Sequence, residues 1–266
     1  MSTSISEKGL SRLDFLKASG ALVIAFSLPL TFKAGAAKAA GHGAFAPVNP
    51  AEMDAWLAIG PDGMVTLFTG KVELGGGLLT GFAQIVAEEL DVPLSSMTVV
   101  SGDTLLTPNQ GFTAGSSSIS GAGPLIRQVA ADARYVMLQH AATQMGVPAD
   151  TLTVKAGTVS VKGNAAKSIS YADLVGGKPF DTLMPVKSAG FGGIQVGGKG
   201  VPKKPSEYTT VGQPLPRIDI PDKVTGKFTF MQDVRVPGML HGRVIRHSGI
   251  GSQLVSFGAP PKGVRV

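Results

Sequence analysis

Residues 78–90 read Leu-Leu-Thr-Gly-Phe-Ala-Gln-Ile-Val-Ala-Glu-Glu-Leu, with Phe82, Ile85, Val86 and Leu90 at helical spacing. The segment is launched from three consecutive glycines, Gly75, Gly76 and Gly77, and stopped by Asp91-Val92-Pro93. A helix with one apolar stripe needs a second layer to cover it. Glu88 and Glu89 fall on other faces and read as helix-surface or capping charges.

The flanking sequence supplies strands. Residues 56–69 predict a hairpin around Gly60-Pro61-Asp62-Gly63, where Pro sets its own φ and Gly accepts a positive one. Residues 97–100 predict a short buried strand, followed by a long polar loop at 101–115. A second helix is predicted over 124–145, with Pro124 in its first turn. Its stripe is Ile126, Val129, Ala133, Val136, Met137, His140 and Ala141, so His140 reads as a core histidine. Residues 152–161 predict another hairpin around Gly157, and 171–174 a short helix start. Residues 176–206 turn rich in Gly, Lys and Pro and read as a connector, with Lys199, Lys203 and Lys204 on a solvated surface. Residues 227–246 alternate in strand fashion about Pro237-Gly238. His241 and His247 there, without a third ligand, are a weak metal signal. The mixture predicts an α+β fold.

The 266 residues include no cysteine, which excludes disulfides, zinc–thiolate sites and iron–sulfur clusters carried by this chain. The net charge is +6, but residues 1–40 hold five basic side chains against two acidic ones, leaving only +3 for the remainder. That balance, with 6% aromatic residues, argues against a nucleic-acid partner.

Residues 1–17 are polar and basic, 18–32 mostly apolar, and 34–40 small with Ala-x-Ala spacing. This is the layout of a signal peptide, which predicts export to the periplasm. Ser27 and Pro29 interrupt the apolar run, which is short for a membrane span. Ser11-Arg12-Leu13-Asp14-Phe15-Leu16-Lys17 resembles the twin-arginine export motif, with Leu13 in place of the second arginine, so the route is open.

Three segments carry candidate chemistry. Residues 71–77 form a glycine bend opening into a helix, where backbone N–H groups and the helix N-terminus suit an anionic cofactor, or simply tight packing. Residues 101–111 and 113–118 are rich in glycine and hydroxyl side chains, which suit a pyrophosphate or polar cofactor edge, or an N-cap and solvated loop. The candidate cofactor-binding residues are Gly75, Gly76, Gly77, Thr113, Ala114, Gly115, Ser116 and Ser117. No catalytic residue or metal ligand is assigned.

These segments occur in an order that resembles a known family. Residues 71–79, 84–90, 101–104, 107–111 and 113–116, then Pro214-Leu215-Pro216-Arg217-Ile218-Asp219-Ile220-Pro221, Lys223-Val224-Thr225-Gly226 and Pro237-Gly238-Met239-Leu240-His241, are similar to the large, molybdopterin-binding subunit of isoquinoline 1-oxidoreductase-like enzymes. Those enzymes belong to the xanthine dehydrogenase/aldehyde oxidase superfamily. The resemblance implies a signal at 1–40, a linker at 41–55, and the N-terminal part of a molybdopterin-binding domain at 56–175. It further implies a connector at 176–210 and the start of an α/β hammerhead domain at 211–266.

The implied cofactor is molybdenum on molybdopterin cytosine dinucleotide. The implied reaction is hydroxylation of an N-heterocycle or oxidation of an aldehyde, with oxygen from water. The implied partners are a small [2Fe–2S] subunit, a separate chain carrying the remaining C-terminal part, and a cytochrome acceptor. Two departures stand against activity. The family's Gly-Gln-Gly carries a glutamine where this chain has Gly76, and the family's base glutamate lies beyond residue 266. The alternative is therefore a non-catalytic remnant or exported binding protein that retains the fold.

Overall fold

The computed structural model describes residues 22–23, 56–175, 184–189, 193–247, 249–256 and 258–266. Apart from residues 22–23, the signal-like segment and the 41–55 linker lie outside the described residues, as does 176–183 of the connector.

The predicted hairpin forms. Strand β2 (Leu57–Ile59) pairs antiparallel with β3 (Val65–Thr69), Leu57 opposite Leu67. The Asp62 carboxylate accepts the Met64 amide across the turn at 3.0 Å. A two-residue strand β1 (Leu22–Val23) pairs antiparallel with the other edge of β2. Helix α1 (Leu78–Leu90) then crosses over to β4 (Met97–Ser101), which lies parallel to β3. A parallel neighbour requires such a crossover. The sheet order is β1-β2-β3-β4.

Helix α2 (Gly123–Met145) packs on α1, entered through a π-turn at Ser118–Ala122 and closed by Gly146 in the left-handed region. Beyond it, β5 (Leu152–Lys155), β6 (Thr158–Val161) and β7 (Asn164–Ser170) form an antiparallel meander. Next come α3 (Tyr171–Val175) and a hairpin of β8 (Val186–Ala189) and β9 (Gly193–Val196). Strands β7, β8 and β9 are not among those predicted, and Val186, Ile194 and Val196 pack the β8–β9 hairpin on the core. The fold is α+β, as the sequence predicts. Among the described residues no helix is long and apolar enough to cross a membrane.

One core joins these layers. Trp56, Leu67, Phe82, Val86 and Leu90 meet Ile126, Val129 and Met137, and Val159 and Tyr171 reach in from the meander side. Phe68 and Ala58 face the other side of the sheet.

Three side-chain expectations need correction. His140 is exposed, because in the last two turns of α2 only Ala141 stays buried even though His140 continues the stripe. Glu88 and Glu89 are only 2% and 1% exposed. The Glu88 carboxylate accepts the amides of Thr209, Thr210 and Val211 at 2.8, 2.6 and 3.0 Å. Glu89 takes Arg127 Nε at 3.0 Å and the Lys203 amide at 3.1 Å. Lys203 is likewise not a solvated charge: its ammonium donates to Asp91 at 2.6 Å and pairs with Glu88 at 3.4 Å. The late connector is thus a strap bound to α1 by two buried acids. Lys199 and Lys204 are exposed as expected.

The second compact unit is Asp222–Val266. Its described residues contain no strand, so the alternation at 227–246 does not pair. A strand needs a neighbour to take its backbone hydrogen bonds. Phe228 and Phe230 instead stack edge-to-face at 4.8 Å, and Met231, Leu240 and Ile245 are exposed.

Candidate functional site

The site begins where β3 ends. The Thr69 hydroxyl and the Gly70 amide both donate to the Gln110 side-chain oxygen, at 2.6 and 2.8 Å. The Lys71 ammonium donates to the Phe112 carbonyl at 2.9 Å, and the Val72 amide to the Thr113 hydroxyl oxygen at 3.0 Å. Four successive residues of one segment are therefore laced to 110–113 of the other. This lacing brings the glycine bend beside the 113–118 loop. Burial holds the Lys71 ammonium below the usual lysine pKa.

The two segments wall a cleft of about 500 Å³. One wall is Val72, Glu73, Leu74, Gly76 and Leu78; the other is Thr113, Ala114, Gly115, Ser116, Ser118 and Ile119. Of the candidate residues, Gly76, Thr113, Ala114, Gly115 and Ser116 line the cleft. Gly75, Gly77 and Ser117 do not. The Ser117 hydroxyl turns back to the Ala114 carbonyl at 2.9 Å. Ser116 sits at φ +53°, in the left-handed region that disfavours a non-glycine residue. Such a conformation persists only where its surroundings enforce it.

Glycine amides at a helix N-terminus suit an anion, and the anion that holds them is internal. The Glu73 carboxylate accepts the amides of Gly75 at 2.7 Å, Gly77 at 2.9 Å and Leu79 at 3.2 Å. The N-cap Gly77 has no side chain, so Glu73 caps α1 from four residues upstream. Burial pushes the Glu73 carboxyl up, but the three backbone bonds and the nearby Arg217 outweigh it and leave the group below its ordinary value. These amides are engaged by the protein itself, which corrects the expectation that they receive a cofactor anion. Glu73 is the one carboxylate in the bend, a candidate by residue type alone in the sequence, and its capping role shows only in the fold.

The 101–111 segment does not reach the cleft. Asp103 accepts the Leu105 and Leu106 amides at 2.8 and 3.1 Å, and Asn109 accepts Gly111 at 2.9 Å. It is a self-bonded loop that positions Gln110.

A larger cavity of about 660 Å³ lies between α2 and the β8–β9 hairpin, lined by Asp132, Tyr135, Met184 and Lys187 among others. None of the candidate residues is there. The cleft is preferred because two independently patterned small-residue loops converge on it. Among the described residues no cluster of His, Asp and Glu could hold a metal ion.

The cleft has an apolar floor of Val72, Leu74, Leu78 and Ile119 with hydroxyls along one wall. Its volume lies within the roughly 300–1,000 Å³ of small-molecule sites. A Cβ placed on Gly76 would meet nothing within 4 Å, so that wall is open to close approach. The hydroxyls of Thr113, Ser116 and Ser118 offer hydrogen-bond donors and acceptors along the other wall.

An α+β unit with a cleft between a glycine bend and a hydroxyl-rich loop is a cofactor- or small-molecule-binding domain. More particularly, the chain belongs to the molybdopterin cofactor-binding domain family, which matches residues 28–233. It is 39% identical to one of the subunits of nicotinate dehydrogenase from Pseudomonas putida across 75% of this chain. It is 30% identical to the beta subunit of isoquinoline 1-oxidoreductase from Brevundimonas diminuta across 88%. Those matches span 16% and 33% of the relatives' own lengths. Among solved structures, CO dehydrogenase from Oligotropha carboxidovorans matches 44% of this chain and 15% of its own, at 29% identity and a TM-score of 0.41.

Proposed function

We propose that this chain contributes one part of a molybdopterin cytosine dinucleotide site in a multisubunit oxidoreductase acting on an N-heterocycle or an aldehyde. The observation that carries the reading is the single cleft shared by Gly76 and by Thr113, Ala114, Gly115 and Ser116. When bound, the molybdenum centre supplies two-electron oxidation. The chain's own residues shape the cleft, present hydroxyls to the ligand's polar edges, and hold the bend rigid through Glu73. Small [2Fe–2S] and further large-subunit chains complete the assembly and carry the electrons on to a cytochrome, which accords with a sequence free of cysteine. The chain is exported, a reading supported by the charge and hydropathy layout of residues 1–40.

The test is to co-express the full chain with the subunits encoded beside it, purify the assembly, and measure molybdenum and acid-released cytosine nucleotide. Stoichiometric amounts of both are expected. Absence of both rejects cofactor binding. Fractionation of a tagged chain tests export; a cytoplasmic chain of unchanged mass rejects it.

A second reading, a fold-retaining binding protein without turnover, is favoured by Gly76, which offers no side chain where the family's glutamine is expected. Cofactor present without oxidation of any N-heterocycle or aldehyde supplied would select it.

A further inference from the structure

Arg217 lies 142 positions beyond the glycine bend, yet it reaches the bend from behind. Its Nη1 donates to the Gly75 carbonyl at 2.8 Å, and its Nη2 lies 3.7 Å from the Glu73 carboxylate. A Cβ built on Gly77 would stand 3.5 Å from the guanidinium Nε, so the plane of the side chain lies against the bend. Asp219 fixes the guanidinium from the other side by two bonds, to Nε at 3.0 Å and Nη2 at 2.7 Å. The next residue, Ile218, is tied to α1 by its amide, which donates to the Thr80 hydroxyl at 3.0 Å. The Glu73 carboxylate is therefore gripped by three backbone amides of its own bend and by a cation from the distant strap.

We infer that Arg217 is the positioning residue of the cleft: it sets the shape of the glycine bend, and hence the wall that a cofactor meets, without touching the cofactor itself. The inference rests on the reading of the cleft as a molybdopterin site. Arginine is required by the geometry. Its planar fork holds Asp219 with two nitrogens while a third remains for the Gly75 carbonyl. A lysine ammonium cannot serve both directions at once.

The experiment has two readouts on the full chain. The first is amide hydrogen exchange at Gly75, Gly77 and Leu79 in the chain without cofactor. R217A should speed exchange there by about tenfold or more, with core amides of α2 unchanged. R217K should behave like R217A, and D219N should give an intermediate effect because the guanidinium loses its charged anchor. The second is molybdenum and cytosine nucleotide content of the co-expressed assembly, which should fall in the same order of variants. Unchanged exchange in both R217A and R217K overturns the inference. Faster exchange with undiminished cofactor content overturns the link from bend to cofactor. A wild-type assembly that holds no cofactor defeats the proposed function instead, and the clamp then stands or falls on exchange alone.

Discussion

The Glu88 carboxylate and the Thr210 amide, 122 positions apart in the chain, meet at 2.6 Å. The same carboxylate oxygen takes the amides on either side of Thr210. Removing this buried carboxylate would strand three half-buried or exposed strap amides and leave Lys203 without one of its two carboxylate partners. Breaking such a buried charged cluster costs about 3–5 kcal/mol. Glu88→Ala should lose that much in urea unfolding. Glu88→Gln, which keeps an acceptor oxygen, should lose about 1–3 kcal/mol. The strap should also become the first site of proteolytic nicking. A Glu88→Ala chain as stable as the wild type would show that the strap contributes little.

The same bonds make the fold acid-sensitive. Burial raises the Glu88 carboxyl, but the amides of Thr210, Val211 and Thr209 and the Lys203 charge outweigh it, so its folded pKa lies below the ordinary 4.5. Glu73 is shifted in the same direction. A depressed folded pKa means that the unfolded chain binds more protons as pH falls below 4.5. The contribution of both groups is complete above that value and is lost as pH drops through the folded pKa. The urea midpoint of the wild type should therefore fall between about pH 6 and about pH 3.5, and an E73Q/E88Q chain should fall less steeply. Equal slopes would remove these two acids as the cause.

Much of this organisation is written in local pattern. The three-glycine launch and the Asp91-Val92-Pro93 stop mark α1 to the residue, because both ends are backbone signals. The Pro61-Asp62-Gly63 turn marks β2–β3 for the same reason. Long-range partnership is not written locally. Glu88 and Glu89 look like exposed helix charges until the strap's amides and Lys203 are placed on them. Residue type alone says nothing of what Glu73 binds until the bend folds around it. The cleft was half legible: the small residues at Gly76 and 113–116 announce room, whereas the turning away of Ser117 and the prior claim on the Gly75 and Gly77 amides depend on backbone geometry. His140 shows the converse limit, since it continues the stripe by spacing yet lies exposed at its margin while Ala141 and Met145 still pack on the core.

Tyr171 is 2% exposed, and its hydroxyl has no hydrogen-bond partner among the described residues. Burial, reinforced by Asp91, pushes the phenol well above its ordinary pKa, so it stays neutral. A buried polar atom left unpaired costs about 1–3 kcal/mol. Tyr171→Phe removes that atom while keeping the ring in the core, so thermal unfolding should be unchanged or shifted upward. A clear downward shift would reveal a partner for the hydroxyl.

The three glycines of the bend should respond differently to substitution. Gly75 and Gly77 have φ of +104° and +83°, conformations that side chains rarely adopt. Gly76 has no positive φ and open space around its Cα. Gly75→Ala and Gly77→Ala should each cost about 1–3 kcal/mol. Gly76→Gln should leave stability within about 0.5 kcal/mol, because the side chain enters the cleft rather than the core. In an assembly that carries molybdenum, the added amide would stand where the sequence resemblance implies a glutamine. By analogy with a single positioned transition-state donor, it should raise turnover of an N-heterocycle or aldehyde by about 10²-fold. Melting curves of the three variants and steady-state rates of Gly76→Gln check both halves. A destabilised Gly76→Gln would mean that the cleft wall is closed at that position. A stable variant without faster turnover would mean that the glutamine's absence is not what limits this chain.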